Sequence, residues 1–217
     1  MVILTWNCQG IKEGSLKTLM ESRRGLKPDV LCLQEAGGLV NVDEAPIDKP
    51  VLVENVWEGY SMSYLRWNRA GDDDGGNNRC SMATVFKSDA FKAGGCIAAE
   101  DASAKRPIMC VTDKDNTMKV YNIHAGGKKY IEEALKIVSR ESSVWKYWVI
   151  AGDFNQEPGV IHDWFGEVKQ APNIIFDEKN NTRGVKKIDY AISNAKGKAE
   201  VLPQKSDHNQ VKITLDV

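Results

Sequence analysis

The chain has 217 residues, of which 42% are hydrophobic and 27% are charged, and its formal net charge is −1. This balance argues against a passive polyanion binder, which would need a strongly basic surface. No stretch approaches the roughly 18 apolar residues of a membrane span, and no signal-peptide pattern is found at Met1. The length predicts one domain, residues 1–217, with a well-buried core.

The first half of the chain alternates apolar strands with polar loops. Ser15 begins a helical pattern after the first strand. The segment Asn68–Arg79 is rich in Gly, Asp and Asn and is predicted to be an exposed loop. The strands predicted here are Val2–Trp6, Val30–Gln34, Met62–Trp67 and Cys80–Phe86.

The second half carries the clearest helix, at about Lys128–Trp145, where apolar residues recur at helical spacing. Two of its strands are joined by a tight turn and predict a hairpin. The strands predicted here are Ile108–Thr112, Met118–Ile123, Tyr147–Ala151, Ile188–Ile192 and Val211–Leu215. Strands outnumber helices, and several links are too short for parallel crossovers, so we expect an α/β protein with mixed, largely antiparallel sheets.

The cysteines are odd in number and include no C-x-x-C pair, which predicts buried reduced thiols; the alternatives are a disulfide or a nucleophilic cysteine, and nothing in the sequence supports either. They are Cys8, Cys32, Cys80, Cys96 and Cys110.

Six short polar clusters stand where predicted strands end, and strand ends are where a rigid sheet holds side chains toward one cleft. Taken singly, each has an ordinary structural explanation, such as a turn, a solvated strand end or a capped loop. The clusters are Trp6-Asn7-Cys8-Gln9-Gly10, Leu33-Gln34-Glu35, Asn122-Ile123-His124-Ala125, Gly152-Asp153-Phe154-Asn155, Ile188-Asp189-Tyr190 and Ser206-Asp207-His208.

Together the clusters hold the groups that phosphodiester hydrolysis needs: a cation on the phosphate, an activated water and neutralisation of the leaving oxygen. A hard divalent cation prefers carboxylate, amide and water oxygens, which Glu35, Asn7 and Asp207 would provide. Histidine acts as acid, base or phosphate ligand near neutral pH. Asp189 is a natural partner to fix the tautomer of His208.

The order of these clusters resembles the endonuclease/exonuclease/phosphatase (DNase I-like) superfamily, over almost the whole chain. Within that superfamily the sequence most resembles the nuclease subunit of cytolethal distending toxins. The segments that carry this likeness are Leu33-Gln34-Glu35-Ala36-Gly37, Ala102-Ser103, Arg106-Pro107-Ile108, Asn122-Ile123-His124-Ala125 and Asp189-Tyr190-Ala191. The resemblance implies a four-layer α/β sandwich, with two packed mixed, largely antiparallel β-sheets flanked by helices.

The resemblance also implies a role for each matching residue. Glu35 would be the principal ligand of Mg²⁺, with Mn²⁺ or Ca²⁺ as further candidates, and Asn7 and Asp207 would complete its shell. Asp153 and Asn155 would orient the attacking water and the phosphate. His208, held by Asp189, and His124 would carry out the acid–base chemistry and stabilise the transition state. Arg79 and Arg106 would contact substrate phosphates. No acid that would support His124 is identifiable from the sequence.

The function implied is a metal-dependent DNA endonuclease of low sequence specificity, a toxin-like subunit in which water attacks the phosphate in line. The alternative is a phosphoinositide phosphatase using the same site, although no amphipathic insertion segment favours it. A catalytically inactive binding module is the remote third reading, because it predicts an eroded catalytic position and none is eroded. Basic residues outside the centre would be phosphate contacts or a solvated face; they are Lys128, Lys129, Arg183, Lys186 and Lys187.

DNA is the expected partner, as substrate, and delivery or carrier subunits are expected if the chain is a toxin. The toxin reading places a secreted effector in the nucleus of a target cell, and the other readings place the protein in the cytoplasm.

Overall fold

The computed structural model describes residues 1–9, 13–37, 49–66, 81–97, 106–141, 144–162, 172–203 and 207–217. Within these ranges there are three α-helices: α1 Glu13–Ser22, α2 Lys128–Glu141 and α3 Pro158–His162, with a 3₁₀ helix at Arg24–Leu26. The strands are β1 Val2–Asn7, β2 Val30–Gln34, β3 Pro50–Trp57, β4 Tyr60–Leu65, β5 Met82–Lys87, β6 Phe91–Ile97, β7 Ile108–Asp113, β8 Met118–His124, β9 Tyr147–Asp153, β10 Asn173–Ile175, β11 Asp189–Ser193, β12 Gly197–Leu202 and β13 Gln210–Leu215.

The strands form two mixed sheets. The seven-stranded sheet has the order β12-β13-β1-β2-β5-β4-β3, and the six-stranded sheet has the order β10-β11-β9-β8-β7-β6. Each sheet contains one parallel pair, β1 with β2 and β8 with β9, while the other pairs are antiparallel. The predicted fold class is therefore confirmed.

Three apolar layers hold the sandwich together. Between the sheets, Ile3 and Cys32 of one sheet pack with Val120 and Val149 of the other. Helix α1 covers the outer face of the seven-stranded sheet with Leu16, Leu19 and Met20. Helix α2 covers the outer face of the six-stranded sheet with Tyr130, Ile131, Ala134 and Val138. Side chains of successive strand residues alternate between the inner and outer layers, which explains why the central strands read as unbroken apolar runs.

Most predicted elements agree with the structure, with shifts at their ends. The helix predicted to reach Trp145 is described as far as Glu141, and residues 144–146 lie outside it. Four strands, β3, β6, β10 and β12, were not predicted. The predicted Asn68–Arg79 loop and Cys80 lie outside the described residues, whereas the other four cysteines are free thiols. No helix in the described ranges is long and apolar enough to span a membrane.

Candidate active site

The site lies where the two parallel strand pairs end. Asn7 at the end of β1 is in register with Gln34 at the end of β2. In the other sheet, Asp153 of β9 is in register with His124 of β8 on one side and with Asp189 of β11 on the other. Because the sheets face each other, these strand ends bring polar side chains from five predicted clusters into one place.

Asn7 joins the two sheets through its amide. Its Nδ2 donates to Glu35 Oε1 and to Asp153 Oδ2, each at 3.1 Å. Asn7 is 1% exposed, and its Oδ1 has no hydrogen-bond partner among the described residues. Glu35 follows β2 with φ +51°, a left-handed conformation that non-glycine residues seldom adopt. Glu35 therefore contributes a carboxylate and Asn7 an amide oxygen without a partner among the described residues, both of the kind that a hard cation prefers.

His208 is paired with a carboxylate, as predicted. Its Nδ1 lies 3.0 Å from Asp189 Oδ2 and 3.2 Å from Oδ1, and both residues are buried. Burial alone would lower the pKa of His208, but the hydrogen bond and charge of Asp189, with the charges of nearby carboxylates, outweigh it and raise the pKa. The raised pKa favours the protonated form of His208 compared with an ordinary histidine.

His124 has a different environment. Its Nε2 lies 3.7 Å from Asp153 Oδ2 and 3.9 Å from Glu35 Oε1, while its buried Nδ1 has no partner among the described residues. Burial, then the positive charge of Arg106 and that of His208, lower the pKa of His124 to about 3. His124 is therefore a neutral imidazole, and no acid in the described residues supports its Nδ1.

Asp153 lies between the two histidines. Its Oδ2 is within 4.0 Å of both Nε2 atoms, and its Oδ1 accepts from the backbone N–H of Asn155 at 2.8 Å. Burial, followed by the charge of Asp189, raises the pKa of Asp153 to about 7, although its hydrogen bonds and His208 act in the opposite direction. Two carboxylates buried this close repel each other unless a cation or a proton lies between them.

The end of β9 and the turn after it depend on backbone geometry that few residues allow. A Cβ atom at Gly152 would lie 2.0 Å from the carbonyl oxygen of Ile123, so the close approach of β8 and β9 next to Asp153 permits only glycine. Asn155 has φ +51° and donates from Nδ2 to the carbonyl oxygen of Ala125 at 3.0 Å, with its side chain at the exposed rim.

Two predicted site residues lie at the edge of this centre, and a third is outside the described residues. The carboxylate of Asp207 forms an ion pair with Arg183 at 3.2 Å, and both side chains are largely exposed. Arg106 Nη1 donates to the carbonyl oxygens of His124 and Ala125 at 3.3 and 3.5 Å, which places its guanidinium beside His124. Arg79 lies outside the described residues.

The donor set fits a divalent cation. Asp153, Asp189 and His208 are the one group among the described residues in which three His, Cys, Asp or Glu ligand atoms lie within 4.8 Å of one another. Both oxygens of Asp189 are already engaged by His208 Nδ1. The oxygens of Glu35, Asn7 and Asp153 beside this group are also of the kind that such an ion prefers, and Asn7 Oδ1 has no hydrogen-bond partner among the described residues.

Two supporting residues carry no predicted role. Thr182 Oγ1 accepts the backbone N–H groups of Ile188 and Asp189, at 3.0 and 3.1 Å, and thereby holds the start of β11. Trp6 Nε1 donates to the carbonyl oxygen of His208 at 3.0 Å. Trp6 falls within a polar cluster of the sequence, but Thr182 lies in a turn with no distinguishing motif.

Comparison with known proteins agrees with this geometry. A model described as the Endonuclease/Exonuclease/phosphatase family matches residues 4–208. A comparison with curated proteins finds no significant match.

Several solved structures share the fold. The cytolethal distending toxin of Haemophilus ducreyi has 21% identity and a TM-score of 0.73, covering 100% of this chain and 98% of its own. The Actinobacillus actinomycetemcomitans toxin has 20% identity and a TM-score of 0.72, with the same coverage. A mannosyl-6-phosphatase of Bacteroides thetaiotaomicron has 15% identity and a TM-score of 0.63 and covers all of both chains.

Proposed function

Because this chain belongs to the endonuclease/exonuclease/phosphatase family, we propose that it is a Mg²⁺-dependent phosphodiesterase that nicks DNA with little sequence specificity. Members of the family are hydrolases that act on phosphodiester bonds. The observation that carries the proposal is the convergence of two histidines, Asp189 and Glu35 around the buried Asp153. This set supplies proton donors and acceptors next to oxygen ligands.

The two histidines divide the proton chemistry. His208 is held by Asp189 and has a raised pKa that favours its protonated form, so it would hydrogen-bond a phosphate oxygen and stabilise the charge that develops there. His124 is neutral and would act as a hydrogen-bonding group on the opposite side of the phosphate, without adding charge. Both Nε2 atoms point within 4.0 Å of the same carboxylate oxygen, which restricts where a substrate oxygen can lie.

Asp153 and Asn155 would orient the attacking water. Asp153 Oδ2 lies within 4.0 Å of both histidines, where it would accept a hydrogen bond from that water. Its orientation is fixed by Asn7 Nδ2 and by the backbone N–H of Asn155. A divalent ion held by Glu35, Asn7 and Asp153 would supply the positive charge that polarises the scissile phosphate.

The rim supports a polyanionic substrate. Arg183 and Lys186 are exposed in a tight turn beside Asp207 and His208. The backbone of Arg183 pairs with that of His208 in a single β-bridge. Arg106 stands on the other side, next to His124. We propose that these cations bind phosphates flanking the scissile bond, as Arg79 would also do, and that the resulting contacts read backbone rather than base sequence.

The wider context belongs to the same proposal. The likeness to two cytolethal distending toxins supports a toxin subunit that travels with carrier chains and acts in the nucleus of a target cell. Asp207 would reach the ion only after leaving Arg183, so we propose for it a supporting contribution to the shell.

The test is conversion of supercoiled plasmid to relaxed circles with Mg²⁺, with and without EDTA. We expect metal-dependent nicking by the wild type and loss of activity in His124→Ala and His208→Ala. Lys146→Ala is the control, because Lys146 is exposed at the opposite end of β9 and should leave activity unchanged.

A different result would redirect the proposal. If the wild type left plasmid intact but released phosphate from a soluble phosphoinositide, DNA would be rejected as substrate and the phosphatase alternative adopted. The fold shared with a mannosyl-6-phosphatase is what keeps phosphomonoesters in this comparison. Plasmid nicking that persists in EDTA would contradict the metal dependence.

A further inference from the structure

A pair of buried amide side chains joins the two sheets directly below the site. Gln34 of β2 and Asn122 of β8 are both fully buried, and Gln34 Nε2 donates to Asn122 Oδ1 at 2.8 Å. Gln34 immediately precedes Glu35, and Asn122 lies two residues before His124 on the same face of its strand. The pair therefore connects the backbone segments that carry two facing site residues.

The strand that carries Glu35 is irregular at this point. Leu33 pairs with Ala83, but the backbone N–H of Ala36 donates to the carbonyl oxygen of Ser81 at 2.7 Å. The chain thus advances three residues from Leu33 to Ala36 while its partner strand advances two. The extra residue makes a β-bulge, and Glu35 lies within it at φ +51°. Bulges of this kind re-aim a side chain beside a functional site.

Asn122 reaches across from the other sheet to the last regular pair before this bulge. Its Nδ2 is 2.9 Å from the carbonyl oxygen of Ala83, 3.3 Å from that of Leu33 and 3.2 Å from Thr84 Oγ1. The orientation of the amide is set by Gln34, whose Nε2 also contacts Thr5 Oγ1 and the carbonyl oxygen of Cys32. A strained φ persists where the surroundings over-determine it, and these contacts provide such surroundings.

We propose that Asn122 is a positioning residue for Glu35. Its amide, oriented by Gln34, clamps the bulge and fixes the spacing between Glu35 on one sheet and His124 on the other. An apolar pair would hold the sheets together equally well, but it would not hold the carbonyl groups of Leu33 and Ala83 beside the bulge. The inference rests on the proposed function only in taking Glu35 as a ligand of the metal.

The first test uses the metal-free protein and is independent of that function. Asn122→Leu removes the amide at similar volume, whereas Val120→Ala removes buried volume from the same face of the same strand without touching the amide pair. We expect hydrogen exchange of the Ala36 amide to accelerate at least tenfold in Asn122→Leu. In Val120→Ala we expect no change beyond the general loss of stability. Equal acceleration in both variants would overturn the proposal.

The second test measures Mn²⁺ binding by calorimetry without DNA. Loss of a residue that orients a metal ligand typically weakens metal affinity about 10–100-fold. We therefore expect at least about a tenfold weaker affinity in Asn122→Leu and an affinity within about twofold of wild type in Val120→Ala. Both variants should melt at lower temperature, so thermal stability alone does not separate them.

A double variant separates positioning from stability. In Gln34→Met/Asn122→Leu neither amide remains, so the single change's contact between a buried amide and a leucine is gone and stability should partly recover. Mn²⁺ affinity should stay as low as in Asn122→Leu, and recovery of affinity to wild-type level would overturn the proposal. If Asn122→Leu does not fold, Asn122→Ser serves in its place with the same expected direction.

The two proposals fail in different ways. A wild type that neither binds Mn²⁺ nor nicks plasmid contradicts the proposed function, while the Ala36 exchange test still decides the role of Asn122. A wild type that binds Mn²⁺ and nicks plasmid, with Asn122→Leu doing both equally well, contradicts the positioning role alone.

Discussion

His208 and His124 stand on opposite sides of one oxygen, Asp153 Oδ2, at 4.0 and 3.7 Å. The Nδ1 atom of His208 is bonded to Asp189, and the pKa of His208 is raised. The Nδ1 atom of His124 has no partner in the described part of the chain, Arg106 lies close by, and the pKa of His124 is lowered to about 3. Nearness to the shared carboxylate is the same for both.

The difference teaches that the charge of a buried histidine is decided by what its other nitrogen contacts and by the remaining charges around it. The His208 side of the site is anchored through Asp189, Thr182 and Trp6. The His124 side is held by packing and by the fixed charge of Arg106. The surroundings of His208 therefore favour its protonated form, and those of His124 favour its neutral form.

The largest effect is expected from Asp189→Asn, which removes the feature that distinguishes His208. An amide cannot stabilise the imidazolium, so we expect plasmid-nicking kcat to fall about 10²–10⁴-fold. The pKa of His208, followed by NMR, should fall as well. Asp113→Asn is the control, because Asp113 caps a distant turn through the backbone of Thr117 and Met118. An unchanged His208 pKa in Asp189→Asn would contradict the account.

The second prediction concerns stability against pH in EDTA. The pKa of His124 is about 3 when folded and 6.5 in its ordinary state, so the unfolded chain binds a proton that the folded protein refuses. The contribution of neutral His124 is present above pH 6.5 and is lost as pH falls. The difference in unfolding free energy between wild type and His124→Gln should shrink by about 1.4 kcal/mol per pH unit below pH 6.

The pH dependence of stability expected from His208 has the opposite sign to that expected from His124. Because its folded pKa is raised, its contribution is present below the unfolded pKa and is lost as pH rises through the folded value. The difference between wild type and His208→Gln should therefore shrink on the alkaline side. Urea unfolding at a series of pH values measures both, and parallel curves for the two variants would contradict the assignment.

A smaller effect is expected where the His208 side is anchored. Thr182→Val leaves the buried N–H groups of Ile188 and Asp189 without their acceptor, which costs about 1–3 kcal/mol of unfolding free energy. Thr182→Ser keeps the hydroxyl and should restore most of it. If the valine and serine variants unfold at the same urea concentration, the hydroxyl is not the anchor.

The smallest effect is expected from Arg106→Met, which removes the positive charge next to His124 and so makes its surroundings more like those of His208. Removing the nearby positive charge should raise the pKa of His124 toward its ordinary value, as measured by NMR. Loss of one charge-assisted phosphate contact should raise KM for plasmid about tenfold. Arg24→Met, which breaks an exposed ion pair with Glu58, should change neither quantity.

The sequence predicted the interior of each sheet and missed the borders. The unpredicted strands β3, β6, β10 and β12 are the outer strands of the two sheets. Outer strands have a neighbour on one side only and are less buried, so they carry proline, glycine and charged residues instead of unbroken apolar runs. The apolar pattern that identifies a central strand is therefore physically absent from them.

Site residues were likewise predicted where the sequence signal is local and missed where their role depends on contacts distant in sequence. The predicted clusters at Asn7, Glu35, His124, Asp153 and Asp189 converge because strand ends can be recognised locally and the sheets do the rest. The pairing of Asp207 with Arg183 and the role of Thr182 depend on contacts between separate turns, which leave no periodic signal in the sequence.

The pairing of β1 with β13 also determines when the site can form during synthesis of the chain. Val2 pairs with Thr214, so β1 can complete its sheet only after β13 has been synthesised. His208 belongs to that late segment, immediately before β13. A nascent chain therefore carries Glu35, His124 and Asp153 before it carries His208. The complete site forms only after β13 has been synthesised.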